Sequence, residues 1–123
     1  MLYTIIMDTK YKKAYHCPVE LVIELISGKW KLLILRELMG GTRRFSQLQR
    51  AIPGITQKML TKQLRELENS GLVQRKVYAE VPPKVEYSLT ELGESLEDIF
   101  SAMHRWGERY LTSISQLSRR DGE

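Results

Sequence analysis

The chain has 123 residues, 42% hydrophobic and 28% charged, which suits one domain with a modest core and leaves no length for a separate catalytic domain. Its net charge of +4 is uneven: residues 29–65 carry nine cations against one acid, Glu37, whereas 91–123 carry seven acids against four arginines. A basic middle beside an acidic end suits one part that meets a polyanion and another with a different task, and no apolar run is long enough to span a membrane.

Residues 1–16 read as an N-terminal arm. Their apolar stretch 2–7 precedes Lys10, Lys12 and Lys13, the reverse of a secretory signal, and Cys17 has no second cysteine to pair with inside the chain. A cytoplasmic location is therefore expected. Pro18 fits the first position of a helix running to about Ser27, stopped by Gly28, with Val19, Val22, Ile23 and Ile26 as its apolar face. A second helix is expected from about Trp30 to Met39, apolar at Trp30, Leu33, Ile34, Leu35 and Leu38 and ended by Gly40-Gly41.

Thr42 to Phe45 reads as a very short strand. Ser46 and Gln49 have capping-box spacing for a short third helix to about Ala51, where Pro53-Gly54 breaks the chain. Thr56 is a good N-cap for a fourth helix to about Ser70, with Gly71 just past its end. Val73, Val77, Val85, Tyr87 and Leu89 fit the inner face of two strands, joined by Ala79 to Lys84 as a hairpin. Thr90 then caps a long final helix to about Leu117.

Helix, helix, helix, turn, helix, hairpin, helix is a mostly α order with a small β-hairpin (α+β). It is that of a winged helix-turn-helix with N- and C-terminal dimerisation helices. The expected division is 1–16 arm, 17–110 winged domain with most of the last helix, and 111–123 helix end and tail.

The two helices around Pro53-Gly54-Ile55 would place the fourth in a DNA major groove. Met59, Leu60, Leu64 and Leu67 recur at helical spacing and should face inward, which leaves Gln57, Lys58, Thr61, Lys62 and Arg65 outside. Gln57 can pair with adenine, Lys58 and Lys62 can donate to guanine, and Thr61 can meet a polar edge or a methyl. Arg65 lies far enough along to meet phosphate. Lys76 and Lys84 near the hairpin tip, with Arg43 and Arg44 before the third helix, are further phosphate candidates. Glu80 and Glu86 weaken the positive field of the hairpin.

The residues from Cys17 to Trp106 resemble the HxlR-type family of bacterial winged-helix regulators. The likeness is carried by Cys17-Pro18-Val19-Glu20, Gly28-Lys29-Trp30-Lys31, Arg44-Phe45, and Ala51-Ile52-Pro53-Gly54-Ile55. Its most specific pieces are Gln57-Lys58-Met59-Leu60-Thr61, Leu64-Arg65-Glu66-Leu67-Glu68 and Gly71-Leu72-Val73. Pro82-Pro83-Lys84-Val85-Glu86-Tyr87-Ser88-Leu89-Thr90 and Trp106-Gly107 complete it, in the family's order. The resemblance implies a homodimeric transcription factor, activator or repressor, of a kind that often responds to reactive electrophiles or oxidants; no cofactor is expected.

In the last helix Leu92, Leu96, Ile99, Met103, Trp106 and Tyr110 alternate steps of four and three, the spacing of a coiled-coil seam. Leu92 and Leu96 would cover the domain itself, and Ile99, Met103, Trp106 and Tyr110 a second copy. A two-fold dimer would read an inverted repeat. Cys17 at a helix N-cap, near Lys12, Lys13 and His16, is a candidate redox-sensing thiol, because a helix N-terminus favours the thiolate.

Other readings compete. An enzyme lacks support: there is no Ser/His/Asp set and no phosphate-binding glycine loop. A metal-responsive regulator would have to gather His16, Cys17 and His104, which lack ligand spacing. A winged-helix protein-interaction module would differ from a DNA binder by the absence of salt-dependent duplex binding.

Overall fold

The computed structural model describes residues 17–121. The expected arm, with Lys12, Lys13 and His16, lies outside them. In chain order the elements are helix α1 (Pro18–Ile26), helix α2 (Lys29–Met39), strand β1 (Arg43–Arg44), helix α3 (Phe45–Ala51) and helix α4 (Gln57–Asn69). Strands β2 (Val73–Tyr78) and β3 (Lys84–Leu89) follow, then helices α5 (Glu91–Glu94) and α6 (Glu97–Asp121). The mostly helical winged architecture is as expected.

The core is a convergence of short elements. Ile34 and Leu35 from α2, Leu48 from α3, Ile52 before the turn, and Leu60, Leu64 and Leu67 from α4 are all at most 1% exposed. Truncating any such leucine to alanine costs about 2–5 kcal/mol. Ile52 and Ile55 are both buried and pin the turn between α3 and α4 from either side. Gly54 between them has φ 84°, a left-handed conformation that a side chain would oppose.

The sheet is antiparallel in the order β1-β3-β2, with Arg43 opposite Tyr87 and Arg44 opposite Glu86 on one side of β3. On the other side Val73 faces Leu89, Arg75 faces Tyr87, and Val77 faces Val85.

Five expectations need correcting. The Ser46/Gln49 capping box is not the one formed. Arg44 is held extended by its pairing with β3, so α3 starts at Phe45, and Gln47 Oε1 accepts the Arg44 N–H at 2.8 Å. Val77 has the inner-face register but is 53% exposed, because the core reaches along the hairpin only to Tyr87 and Leu89, one pair short of it.

Val19 and Ile23 of α1 are also exposed, whereas Ile26 is buried and Val22 and Leu25 pack partly against the core. The last helix is not continuous: α5 ends at Glu94, and the chain turns through Ser95 and Leu96 before α6. There the Ser95 hydroxyl donates to the Leu92 carbonyl and the Leu96 N–H bonds to Gly93 O at 3.1 Å, tightening the chain by one residue. Leu92 is 61% exposed rather than covering the domain; Leu96 is buried and Phe100 packs beside it. Among the described residues no helix is long and apolar enough to cross a membrane.

Candidate nucleic-acid interface

Helix α4 is placed by its cap and its leucines. Thr56 Oγ1 accepts the Met59 N–H at 3.1 Å, satisfying one of the free amides of the first turn. Burial of Leu60, Leu64 and Leu67 fixes the rotation of the helix, so Gln57, Lys58, Lys62 and Arg65 are exposed and Thr61 is half-buried. On the inward shoulder Lys31 Nζ meets Glu66 Oε1 at 2.8 Å, tying α4 to α2. Lys58, Lys62 and Arg65 form no ion pair among the described residues, so their charge is available to a polyanion.

The Thr61 hydroxyl donates to Gln57 O at 2.8 Å. It therefore offers the groove an acceptor and a methyl rather than a donor. Gln57 stands in the first turn with a free amide that can donate and accept at once, the pattern adenine presents in the major groove.

The hairpin stands beside α4 with two unlike faces. On its outer face Lys76 lies opposite Glu86 and Tyr78 opposite Lys84. The two ammonium groups sit over the Tyr78 ring, at 4.8 Å for Lys76 and 4.6 Å for Lys84, and Lys84 reaches Glu86 at 3.6 Å. The Tyr78 hydroxyl, the largest influence, holds the Glu86 carboxyl below its ordinary pKa; desolvation opposes it, and Lys84 and then Arg44 add to the lowering. Arg44, Lys76 and Lys84 thus surround one carboxylate and leave a net positive patch.

Arg43 is placed differently. Its guanidinium folds over Gly40 at the end of α2 and donates to the Thr42 carbonyl at 3.0 Å, where a cation also complements the helix dipole.

The inner face holds a residue that the patterning of the valines hid. Arg75 shares the face of Val73 and Val77 yet is exposed, and it looks across an open groove at α4. Phe45, Leu64, Val85 and Tyr87 line the floor of that groove, and Arg65 and Arg75 stand on its walls. An arginine at an inner-face position between two valines was the signal in the sequence.

Cys17 is the N-cap of α1, in extended conformation with φ −143° and ψ 135°, and is exposed with no side-chain capping bond. On α6, Ile99, Met103, Trp106 and Tyr110 are 38–62% exposed, with Trp106 and Tyr110 stacked at 5.3 Å. His104 lies 3.3 Å from Glu108 on the same helix. No three His, Cys, Asp or Glu side chains gather to hold a metal among the described residues.

Comparison with known proteins places the chain among regulators of this architecture. The sequence model described as HxlR-like helix-turn-helix matches residues 25–115. The HTH-type transcriptional regulator YkvN of Bacillus subtilis (strain 168) is 58% identical over 98 residues, spanning 80% of this chain and 83% of its own. The solved structure of the redox regulator HypR in its reduced form superposes with a TM-score of 0.75 at 49% identity, over 81% of this chain and 99% of that one. The reduced form of the transcriptional regulator YodB from B. subtilis gives 0.72 at 40% identity, over 78% and 95%.

Proposed function

The chain belongs to the HxlR-like helix-turn-helix family, a DNA-binding family of transcription regulators with winged helices, and from that premise we propose that it acts as a homodimer on an inverted-repeat operator, under control of Cys17. The observation that carries the reading is the outward row of α4. Gln57, Lys58, Thr61, Lys62 and Arg65 stand on one ridge whose opposite side is locked into the core. The first four are assigned to base edges and Arg65 to phosphate, with Arg44, Lys76 and Lys84 beside them on the wing. Arg43, folded over Gly40, is the phosphate candidate with the least reach.

The dimer is supported by α6. Its 25 residues extend about 37 Å at 1.5 Å per residue, and Ile99, Met103, Trp106, Tyr110, Leu111, Ile114 and Leu117 stay exposed among the described residues. A second copy of the same helix offers a matching seam. The sensing role is supported by the exposed position of Cys17 at a helix N-terminus and by the redox regulators among the structural relatives. Oxidation or alkylation there would act on the segment from which α1 starts. A cytoplasmic site of action follows from the DNA partner.

Selection of bound duplexes from a random pool, with and without an oxidant such as diamide, tests these points together. Enrichment of an inverted repeat with half-sites about one helical turn apart, or a multiple, is expected. An unenriched pool, or protein that captures no duplex at low salt, would leave the winged helix as a protein-interaction module instead.

A further inference from the structure

The groove between α4 and the wing is open, with an arginine on each wall and an apolar floor. We propose that it holds a deoxyribose-phosphate strand, and that Arg75 is the principal backbone contact of the wing, working across the groove from Arg65. This rests on the DNA-binding reading above and adds to it a positioning residue and the course of the strand.

Three observations converge. Arg75 lies on the face of β2 turned toward α4, opposite Tyr87, and makes no hydrogen bond or ion pair among the described residues. Its guanidinium is therefore free to take a phosphate in a two-pronged geometry that lysine cannot match. The wing lysines expected to do this work lie on the other face, where both share the Tyr78 ring and Lys84 is also engaged with Glu86.

The groove is continuous with the reading ridge. Gln57, Thr61 and Arg65 belong to both the outward row and the groove wall, so a strand bordering the major groove that receives α4 passes directly along it. The floor of Phe45, Leu64, Val85 and Tyr87 suits the apolar faces of deoxyribose, while the two arginines suit the phosphates on either side. Glu68 is the one carboxylate among the lining residues, so the groove keeps a net positive charge.

The test is the salt dependence of binding to a fluorescein-labelled duplex of mixed sequence, read by anisotropy. Wild-type binding should weaken steeply with salt. Arg75→Gln should lower affinity about tenfold at low salt, the loss of a charged hydrogen bond, and flatten the log–log slope by about 0.9 for each Arg75 engaged. Arg75→Lys should keep the slope and lose part of the affinity. Lys76→Gln and Lys84→Gln should each change affinity less than Arg75→Gln does.

Arg75→Gln binding like wild type, or losing affinity with an unchanged slope while Arg75→Lys does the same, would overturn the assignment of Arg75 and leave the DNA-binding reading intact. Larger losses in the two lysine variants would also overturn it. A wild-type protein that binds no duplex at low salt would remove the reading itself. Arg75 is exposed, so a thermal melt of each variant should match wild type; an early melt in Arg75→Gln transfers the decision to Arg75→Lys.

Discussion

Lys31 Nζ lies 2.8 Å from Glu66 Oε1, an ion pair that joins α2 to the shoulder of α4. The lysine side chain is only 18% exposed and the glutamate 42%, so solvent screens the pair in part. The geometry fixes the roll of α4 in addition to the leucines. Lys31→Met should reduce stability by about 1 kcal/mol in urea unfolding, between the values for exposed and buried pairs. A double-mutant cycle with Glu66→Gln should return a coupling energy of about 0.5 kcal/mol or more. Strict additivity would show that the leucines alone set the helix.

Gly93 presses against the Leu72 carbonyl, so closely that a Cβ at this position would collide with the backbone oxygen. Around this point the Thr90 N–H bonds to Leu72 O at 3.1 Å and the Thr90 hydroxyl to Gly71 O at 2.6 Å, clasping the end of the hairpin to the start of α5. Neither carbonyl can move without breaking the clasp. Gly93→Ala should destabilise the fold by about 1–3 kcal/mol, the range for overpacking. Alanine is otherwise the better helix former, so a variant as stable as wild type would mean that α5 moves freely away from Leu72.

The contrast between α4 and α6 shows what the chain discloses. Helix α4 was legible because Thr56, Leu60, Leu64, Leu67 and Gly71 are local signals that agree with the tertiary packing. The break before α6 was not. Leu92, Leu96 and Ile99 continue the helical spacing straight through it, and what interrupts the helix is the docking of Gly93 on a carbonyl twenty-one residues earlier. Arg75 is hidden in the sequence for a related reason. The valines of β2 carry the alternation, and a cation on their face acquires meaning only when α4 is set opposite. The sequence marks Val19 and Ile23 as part of an apolar face, but apolar spacing does not say whose core such a face joins.

The uncovered side chains of α6 predict the assembly. Trp106 is 62% exposed and Met103 45%, values that an isolated copy would sustain only with a large apolar patch in water. The protein is expected to run as a dimer in light scattering at micromolar concentration. Met103→Glu should shift the mass toward one chain, and Trp106→Ala should weaken the dimer by about 2 kcal/mol or more, as central aromatic anchors do. A wild-type mass of a single chain, or a Met103→Glu variant indistinguishable from it, would remove α6 as the seam.

Acid should act on the wing through Glu86. Its folded-state pKa is lowered first by the Tyr78 hydroxyl hydrogen bond and then by Lys84 and Arg44, with desolvation opposing them. A lowered folded value means that the carboxylate supports the hairpin at pH above its unfolded value, and that this support is lost as pH falls through the folded one. Carboxyl carbon shifts followed by NMR should place the Glu86 midpoint below that of a free glutamate. Tyr78→Phe should raise it. A midpoint unmoved by Tyr78→Phe would deny the hydroxyl its leading part.

Cys17 offers the last and most direct test of control. Its thiol is exposed where α1 begins, and the Glu20 N–H bonds to its carbonyl at 2.9 Å, so the backbone at Cys17 is part of the first turn. A bulky or charged adduct on the sulfur can therefore disturb the start of α1, and with it the apolar face formed by Val19 and Ile23, without touching α4. Replacement by serine keeps the size and an N-cap oxygen, which is the better cap. Cys17→Ser should accordingly bind duplex as tightly as wild type and be at least as stable. The distinguishing outcome comes after treatment with diamide: wild-type affinity should change severalfold and return with thiol reductant, while the serine variant stays constant. Equal responses from both proteins would place the sensitivity elsewhere, on the methionines for example, and Cys17 would keep only its structural place at the head of α1.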